Sequence, residues 1–162
     1  MSQLTNQLRI LIEDESSDDF TDAQLVVYLN KYRGYIDGLS LTAESDDYLV
    51  WYSPYKNLDN RSLRTGADSS TEVSTDDYTA DDLNGIFTFT TAQAAIYLYA
   101  NFYNLQETAA DIWLIRAAKS TFSGPVKLGD ETIPMDKYNR EYCIQKYWQT
   151  KTSTDSQMQR GY

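Results

Sequence analysis

The sequence predicts a mainly α (α+β) fold, a small helical bundle carrying an inserted β-hairpin or β-rich region. Two observations predict it. Four segments place apolar residues at helical spacing, while one central stretch, 39–100, shifts to short β-branched and aromatic runs. In addition, 162 residues with 41% hydrophobic content suit a single core, and no apolar run nears the ~18 residues that span a bilayer. The expected organisation is one domain over 1–150 and a flexible C-terminal tail over 151–162.

The first helix is expected over 3–14, where Leu4, Leu8, Leu11 and Ile12 fall on one face. Ser16 to Asp19 breaks it. A second helix over 21–34 opens on Thr21 and Gln24, a Thr-x-x-Gln capping box. Leu25, Tyr28, Leu29 and Tyr32 follow at i, i+3, i+4 and i+7, and Gly34 is placed to end it.

Within the inserted region, "DYLVWYSPY" reads as a strand stopped at Pro54. Residues 57–84 are rich in Ser, Thr and Asp and predict a long exposed loop. "GIFTF" and "AAIYLYA" then predict two strands of a hairpin joined by Thr90 to Gln93.

The third helix, over 104–122, begins with Asn104 as N-cap and Glu107 three residues on. Ala110, Trp113, Leu114, Ala117 and Ala118 form a stripe in which alanine lets a neighbouring backbone approach closely. A core helix is expected, with no catalytic residue on it. "SGPVKLGDETIPMD" connects it to a last helix over 134–149. There Met135, Tyr138 and Tyr142 line one side and Ile144, Tyr147 and Trp148 another. So wide an apolar surface predicts that part of the helix faces a second subunit, with Tyr147 and Trp148 as docking residues. In the tail, Arg160 and Tyr162 are the remaining docking candidates.

Composition excludes several chemistries. With no histidine, Ser-His-Asp and Cys-His catalysis and histidine-containing zinc sites are removed. The single cysteine, Cys143, cannot form an internal disulfide and is expected to be a buried thiol. No basic segment precedes a long apolar one, so no secretory signal is expected. Residues 1–100 hold 17 Asp/Glu against 6 Lys/Arg, a net −11, whereas residues 101–162 carry +1. Such an acidic stretch disfavours phosphate binding. Fourteen tyrosines against five phenylalanines suit surfaces that are wet before assembly and dry after it.

The acids and aromatics are the remaining candidates for a site. "TDDYTADDLNG" fails as a calcium loop, because Ala80 and Thr91 fall where an acid and a bidentate Glu are required. Asp46-Asp47 and Asp18-Asp19 are adjacent in sequence and do not converge on one substrate. The glycines are scattered, leaving no phosphate loop. Trp51, Tyr52 and Tyr55 could build a stacking platform for a sugar or base, the basis of an alternative ligand-binding reading. No catalytic residue, metal or cofactor is expected.

Three stretches in order carry a resemblance. "DFTDAQLVVYLNKYR" has an acid-plus-Thr start followed by leucines. The strand entering "YNLQETAADIWLIRAA" has Tyr103-Asn104 where the family often has Tyr-Asp. Gly129-Asp130 makes a turn ahead of a helix ending near "KYW". In this order they resemble the head–tail connector (adaptor, or head-completion) proteins of tailed bacteriophages, although the insertion is longer than a minimal helical adaptor needs. The resemblance implies a non-enzymatic virion protein of the neck, made in the host cytoplasm. It would form a homo-oligomeric ring, commonly a dodecamer, between the portal protein and the next neck or tail protein. DNA would pass through its channel without specific binding, and no membrane would be involved. A stopper or tail-completion protein is the neighbouring alternative.

Overall fold

The computed structural model describes residues 2–16, 19–66, 71–120, 127–128, 131–132 and 140–158. In chain order the elements are α1 (Ser2–Leu11), α2 (Asp22–Lys31), β1 (Arg33–Ser40), β2 (Thr42–Ala43), β3 (Val50–Tyr52) and β4 (Leu58–Arg64). They continue with β5 (Tyr78–Asp81), β6 (Ile86–Phe89), β7 (Tyr97–Tyr103), α3 (Leu105–Lys119), β8 (Lys127–Leu128), β9 (Glu131–Thr132) and α4 (Arg140–Met158). Of the described residues, 40% are helical and 29% lie in strands, with two antiparallel sheets of three and four strands. The fold is therefore mixed α+β, correcting the expectation of a mainly α chain. The chain divides into two compact units, one of residues 32–104 and one of 2–31 with 105–162.

The helical unit is organised around α3, which packs against α1, α2 and α4. Leu4, Leu8 and Ile12 of the first segment are buried, as are Leu25 and Leu29 of α2. The Thr21 capping box forms: the Thr21 N–H donates to Gln24 Oε1 at 2.8 Å, and the Gln24 N–H to Thr21 Oγ1 at 3.3 Å. This satisfies amide groups that the first turn of a helix leaves without partners.

On α3 the buried face consists of Leu105, Thr108, Ala109, Ala110, Ile112, Trp113, Arg116 and Ala117. It is rotated from the expected stripe, for Leu114 is 47% exposed and Ala118 is also outside. The rotation follows the buried Arg116. The Arg116 guanidinium donates to the Ile12 carbonyl and to Asp19, turning that side of the helix inward. The alanines at 109, 110 and 117 allow the close approach that their size predicts.

The α1–α2 connection is held by a buried charge network. Arg9 donates to both the carbonyl and the carboxylate of Asp14, to the Phe20 carbonyl and to Asp22. The Asp14 carboxylate also accepts the amides of Asp19 and Phe20, each at 3.1 Å. A carboxylate removed from water costs several kcal/mol unless its lone pairs are occupied, and here they are.

The strand unit buries one core between its two sheets, ordered β1-β7-β4 and β2-β3-β6-β5. Ile36, Leu58, Leu63 and Leu98 come from the first sheet, and Trp51, Tyr78, Phe87 and Phe89 from the second. Three expectations are corrected in this unit. Gly34 lies within β1 instead of ending a helix, its missing side chain leaving room for the Phe102 ring. The supposed loop 57–84 contains β4 and β5, whose polar outward residues hid their strand character. β6 and β7 do not form a hairpin: β6 pairs with β3 and β5, and β7 with β1 and β4.

The last helix begins at Arg140 and runs through Met158, so the first eight residues of the expected tail are helical. β8 and β9 form their own two-stranded sheet. Met135, Tyr138 and the Gly129-Asp130 turn lie outside the described residues.

Candidate assembly surfaces

The four expected docking residues separate. Tyr147 packs half-buried against the α3–α4 seam of Trp113, Ala117 and Cys143, together with Tyr142 and Ile144. Trp148, with its ring 5.0 Å from that of Tyr147, is instead 59% exposed. Arg160 and Tyr162 lie outside the described residues. Cys143 is a buried free thiol whose pKa is pushed up by desolvation, the opposite of what a nucleophile needs.

Trp148 has an apolar companion on the same side. Lys151 pairs with Glu107 of α3. Trp148 stands one turn from Lys151, and Leu114 two turns from Glu107, so both lie on the side of the α3–α4 pair that carries this bridge. Among the described residues, Leu114 and Trp148 are the exposed large apolar side chains of those two helices.

A second surface was not anticipated. Strand alternation sends Leu98 and Ala100 of β7 to the core and Tyr97, Tyr99 and Asn101, each half-buried, to the opposite face, while Tyr103 at the strand's end is buried. The register sets Tyr97 between Ser40 and Arg64, Asn101 between Tyr35 and Asp59, and Arg33 opposite Tyr103. The Arg64 guanidinium sits 4.5 Å from the centre of the Tyr99 ring. Tyr99 in turn lies across Gly38, where a Cβ would come within 3.1 Å of its hydroxyl. Gly38 has φ +67°, and the register shifts there. Tyr35 is 66% exposed. Burial pushes the Tyr103 phenol up, with Asp59 adding to it and Arg33 opposing. The face thus presents tyrosines and arginines held by neighbours, the residue types that dominate protein interfaces. A period-two count over "YLYANFY" could have found it, given the strand's neighbours.

The proposed platform of Trp51, Tyr52 and Tyr55 is not one surface. Trp51 is buried in the core and donates its indole N–H to the Tyr48 carbonyl at 3.0 Å. Tyr52, next along the strand, points the other way and donates its hydroxyl to Glu44. Tyr55 stacks on Phe102 at 4.6 Å.

Among the described residues, no three Cys, Asp or Glu side chains converge as a metal would require. Asp81 makes a turn instead, accepting from both the backbone N–H and the side-chain amide of Asn84. Desolvation raises the pKa of Asp82, partly opposed by Arg61, with which it pairs. No helix among these residues is long and apolar enough to cross a membrane.

No protein-family model matches the chain. No curated protein matches it either.

Proposed function

We propose that this chain is a structural subunit of a multi-copy assembly, and specifically a neck protein joining portal to tail in a tailed bacteriophage particle. The single observation that carries the assembly reading is the tyrosine- and arginine-bearing outer face of the β1-β7-β4 sheet, with Tyr35 largely exposed. Trp148 and Leu114 on the helical unit add a second, apolar surface. The neck assignment rests further on the order of the three sequence stretches described above.

Charge supports the conduit role. The strand unit holds 11 Asp/Glu against 4 Lys/Arg. A lining of that sign repels DNA phosphates within about one Debye length, roughly 8 Å at physiological salt. A protein past which DNA must slide gains from such repulsion. We assign it no catalytic role: the buried Arg9–Asp14 pair and the partly buried Arg116–Asp19 pair are spent on holding the α1–α2 connection.

Co-expression with the portal protein of the same genome tests the reading. A ring-shaped complex by electron microscopy is expected. Separate elution of the two proteins at tens of micromolar would remove the neck assignment. Truncation after residue 158 tests Arg160 and Tyr162 without cutting into α4; weaker portal binding with unchanged circular dichroism is the expected result.

A further inference from the structure

We propose that two copies of this chain join edge to edge through β1, the strands pairing antiparallel about Tyr35 so that the two β1-β7-β4 sheets become one. This goes beyond the neck assignment and does not rest on it. The contact is two-fold and isologous, whereas the contacts around a cyclic ring are heterologous.

Among the described residues, β1 is the long open edge of the strand unit. The far side of β4 is engaged, with Arg64 bridging to Glu72 and the Val73 N–H donating to the Leu63 carbonyl at 2.8 Å. The edge strands of the other sheet, β2 and β5, have two and four residues, whereas β1 has eight. Such an edge is a template for another strand. Alternation says which of its backbone groups are available. The Asn104 N–H donates to the Tyr32 carbonyl and the Tyr103 N–H to the Asn57 carbonyl, so even positions at this end of β7 face β1 and odd ones face β4. Through the register, Gly34 and Ile36 turn their N–H and C=O groups toward β7. Arg33 and Tyr35 turn theirs outward, and Asp37 follows by the same alternation, ahead of the bulge at Gly38.

The residues of this edge select a second copy as the occupant. Arg33, Tyr35 and Asp37 stand on one face of the strand and all are exposed. Antiparallel pairing about Tyr35 sets Arg33 of each copy opposite Asp37 of the other and Tyr35 against Tyr35, with two N–H···O=C bonds in each of the three pairs. The outward backbone groups and the opposite charges thus call for the same register. Sliding the partner by two residues either way sets Tyr35 opposite Arg33 or Asp37 and breaks both ion pairs. Among the described residues Asp37 has no ion pair of its own. Arg33 bonds the Tyr103 phenol and keeps further N–H donors for a carboxylate. The strand unit, with 11 Asp/Glu against 4 Lys/Arg, repels its copy at a distance. Physiological salt screens that repulsion beyond roughly 8 Å and leaves the contact pairs in force.

Charge reversal tests both occupant and register. Sedimentation velocity at physiological salt, on the wild-type chain up to about 0.5 mM, should show dimer forming with a Kd of about 100 μM or tighter. Arg33→Asp and Asp37→Arg each place like charges opposite one another twice, and each should weaken the dimer at least ~10-fold while the circular dichroism spectrum stays that of wild type. Combining both changes in one chain restores the two ion pairs and should restore the dimer. Mixing the two single variants one to one should do the same, now as a heterodimer. Tyr35→Pro is the backbone variant: it removes an outward N–H without touching a bond to β7, and should abolish the dimer.

A wild-type chain that stays monomeric throughout overturns the two-fold contact and leaves the edge to an extended segment of another protein. Single reversals that dimerise like wild type overturn it as well, as does a failure of both the double reversal and the mixture to recover the dimer. Portal docking is scored separately, so the loss of either result leaves the other standing.

Discussion

Arg9 Nη1 lies 2.9 Å from Asp14 Oδ2, and neither side chain is more than 7% exposed. The carboxylate also holds two backbone amides of the α1–α2 connection. Removing one partner of a buried pair leaves the other charge unmatched, so Asp14→Ala should destabilise the chain by about 3 kcal/mol. Urea denaturation followed by circular dichroism measures this. A loss below about 1 kcal/mol would mean that Asp22 and the backbone carbonyls of residue 14 and Phe20 satisfy Arg9 without the Asp14 carboxylate.

Glu13 and Lys146 make a more exposed pair at 2.6 Å, with the Tyr142 hydroxyl donating to the same carboxylate at 2.7 Å. Burial pushes the Glu13 pKa upward, but hydrogen bonds from Lys146 and Tyr142 outweigh it and leave the group below its ordinary 4.5. Lys146 is raised above 10.5, chiefly by its bond to Glu13. A depressed acid contributes stability above its unfolded pKa and loses it as pH falls through the folded value. A raised base contributes below its unfolded pKa and loses it as pH climbs through the folded one. The stability difference between wild type and Glu13→Gln should therefore be flat between about pH 5 and 10, narrowing on either side. Partial exposure limits it to about 0.5 kcal/mol.

Gly85 closes the β5–β6 turn with φ +71°, and a Cβ there would overlap the Tyr55 carbonyl oxygen. Both terms disfavour alanine: a left-handed backbone costs an L-residue about 1–2 kcal/mol, and the overlap is with main chain that cannot rotate away. Gly85→Ala should lower stability by about 2–3 kcal/mol, read from the denaturation midpoint.

The three tryptophans report separately. Trp51 and Trp113 are buried, the latter donating its indole N–H to the Leu11 carbonyl at 3.2 Å, while Trp148 is exposed. Iodide should quench Trp148 selectively, and Trp148→Phe should shift the emission maximum to the blue and abolish most quenching. Trp113→Ala should instead cost about 3–5 kcal/mol by opening a cavity against Tyr142 and Cys143.

Much of the helical unit was legible from its residues. Leu4, Leu8 and Ile12 declared a buried face by spacing alone, and the Thr21–Gln24 box declared where α2 begins. On α3 the reading slipped because periodicity counts apolar residues only. Thr108 and Arg116 are both buried, Arg116 through partners distant in sequence, and the buried face lies away from Leu114. In the strand unit the failure had another cause. β4 reads "LDNRSLR" and buries just Leu58 and Leu63, with a bulge between them that breaks the period of two. The tyrosine face escaped notice for a related reason, since its members come together only through the register of β1, β7 and β4, and pairing partners are not written locally.

The amide of Asn104 donates to the Tyr32 carbonyl at 3.2 Å, so the strand unit begins and ends at one point. It is a parenthesis in the chain: whatever lies between those two residues can be lengthened, swapped or trimmed while the flanking helices keep their spacing. Closure entropy rises only about 0.6 kcal/mol for each doubling of an enclosed segment, so a change of cassette places little strain on its host. Joining residues 31 and 105 through a short glycine-serine bridge should leave a helical remnant that still melts cooperatively, and the same aperture offers a place to graft an unrelated module.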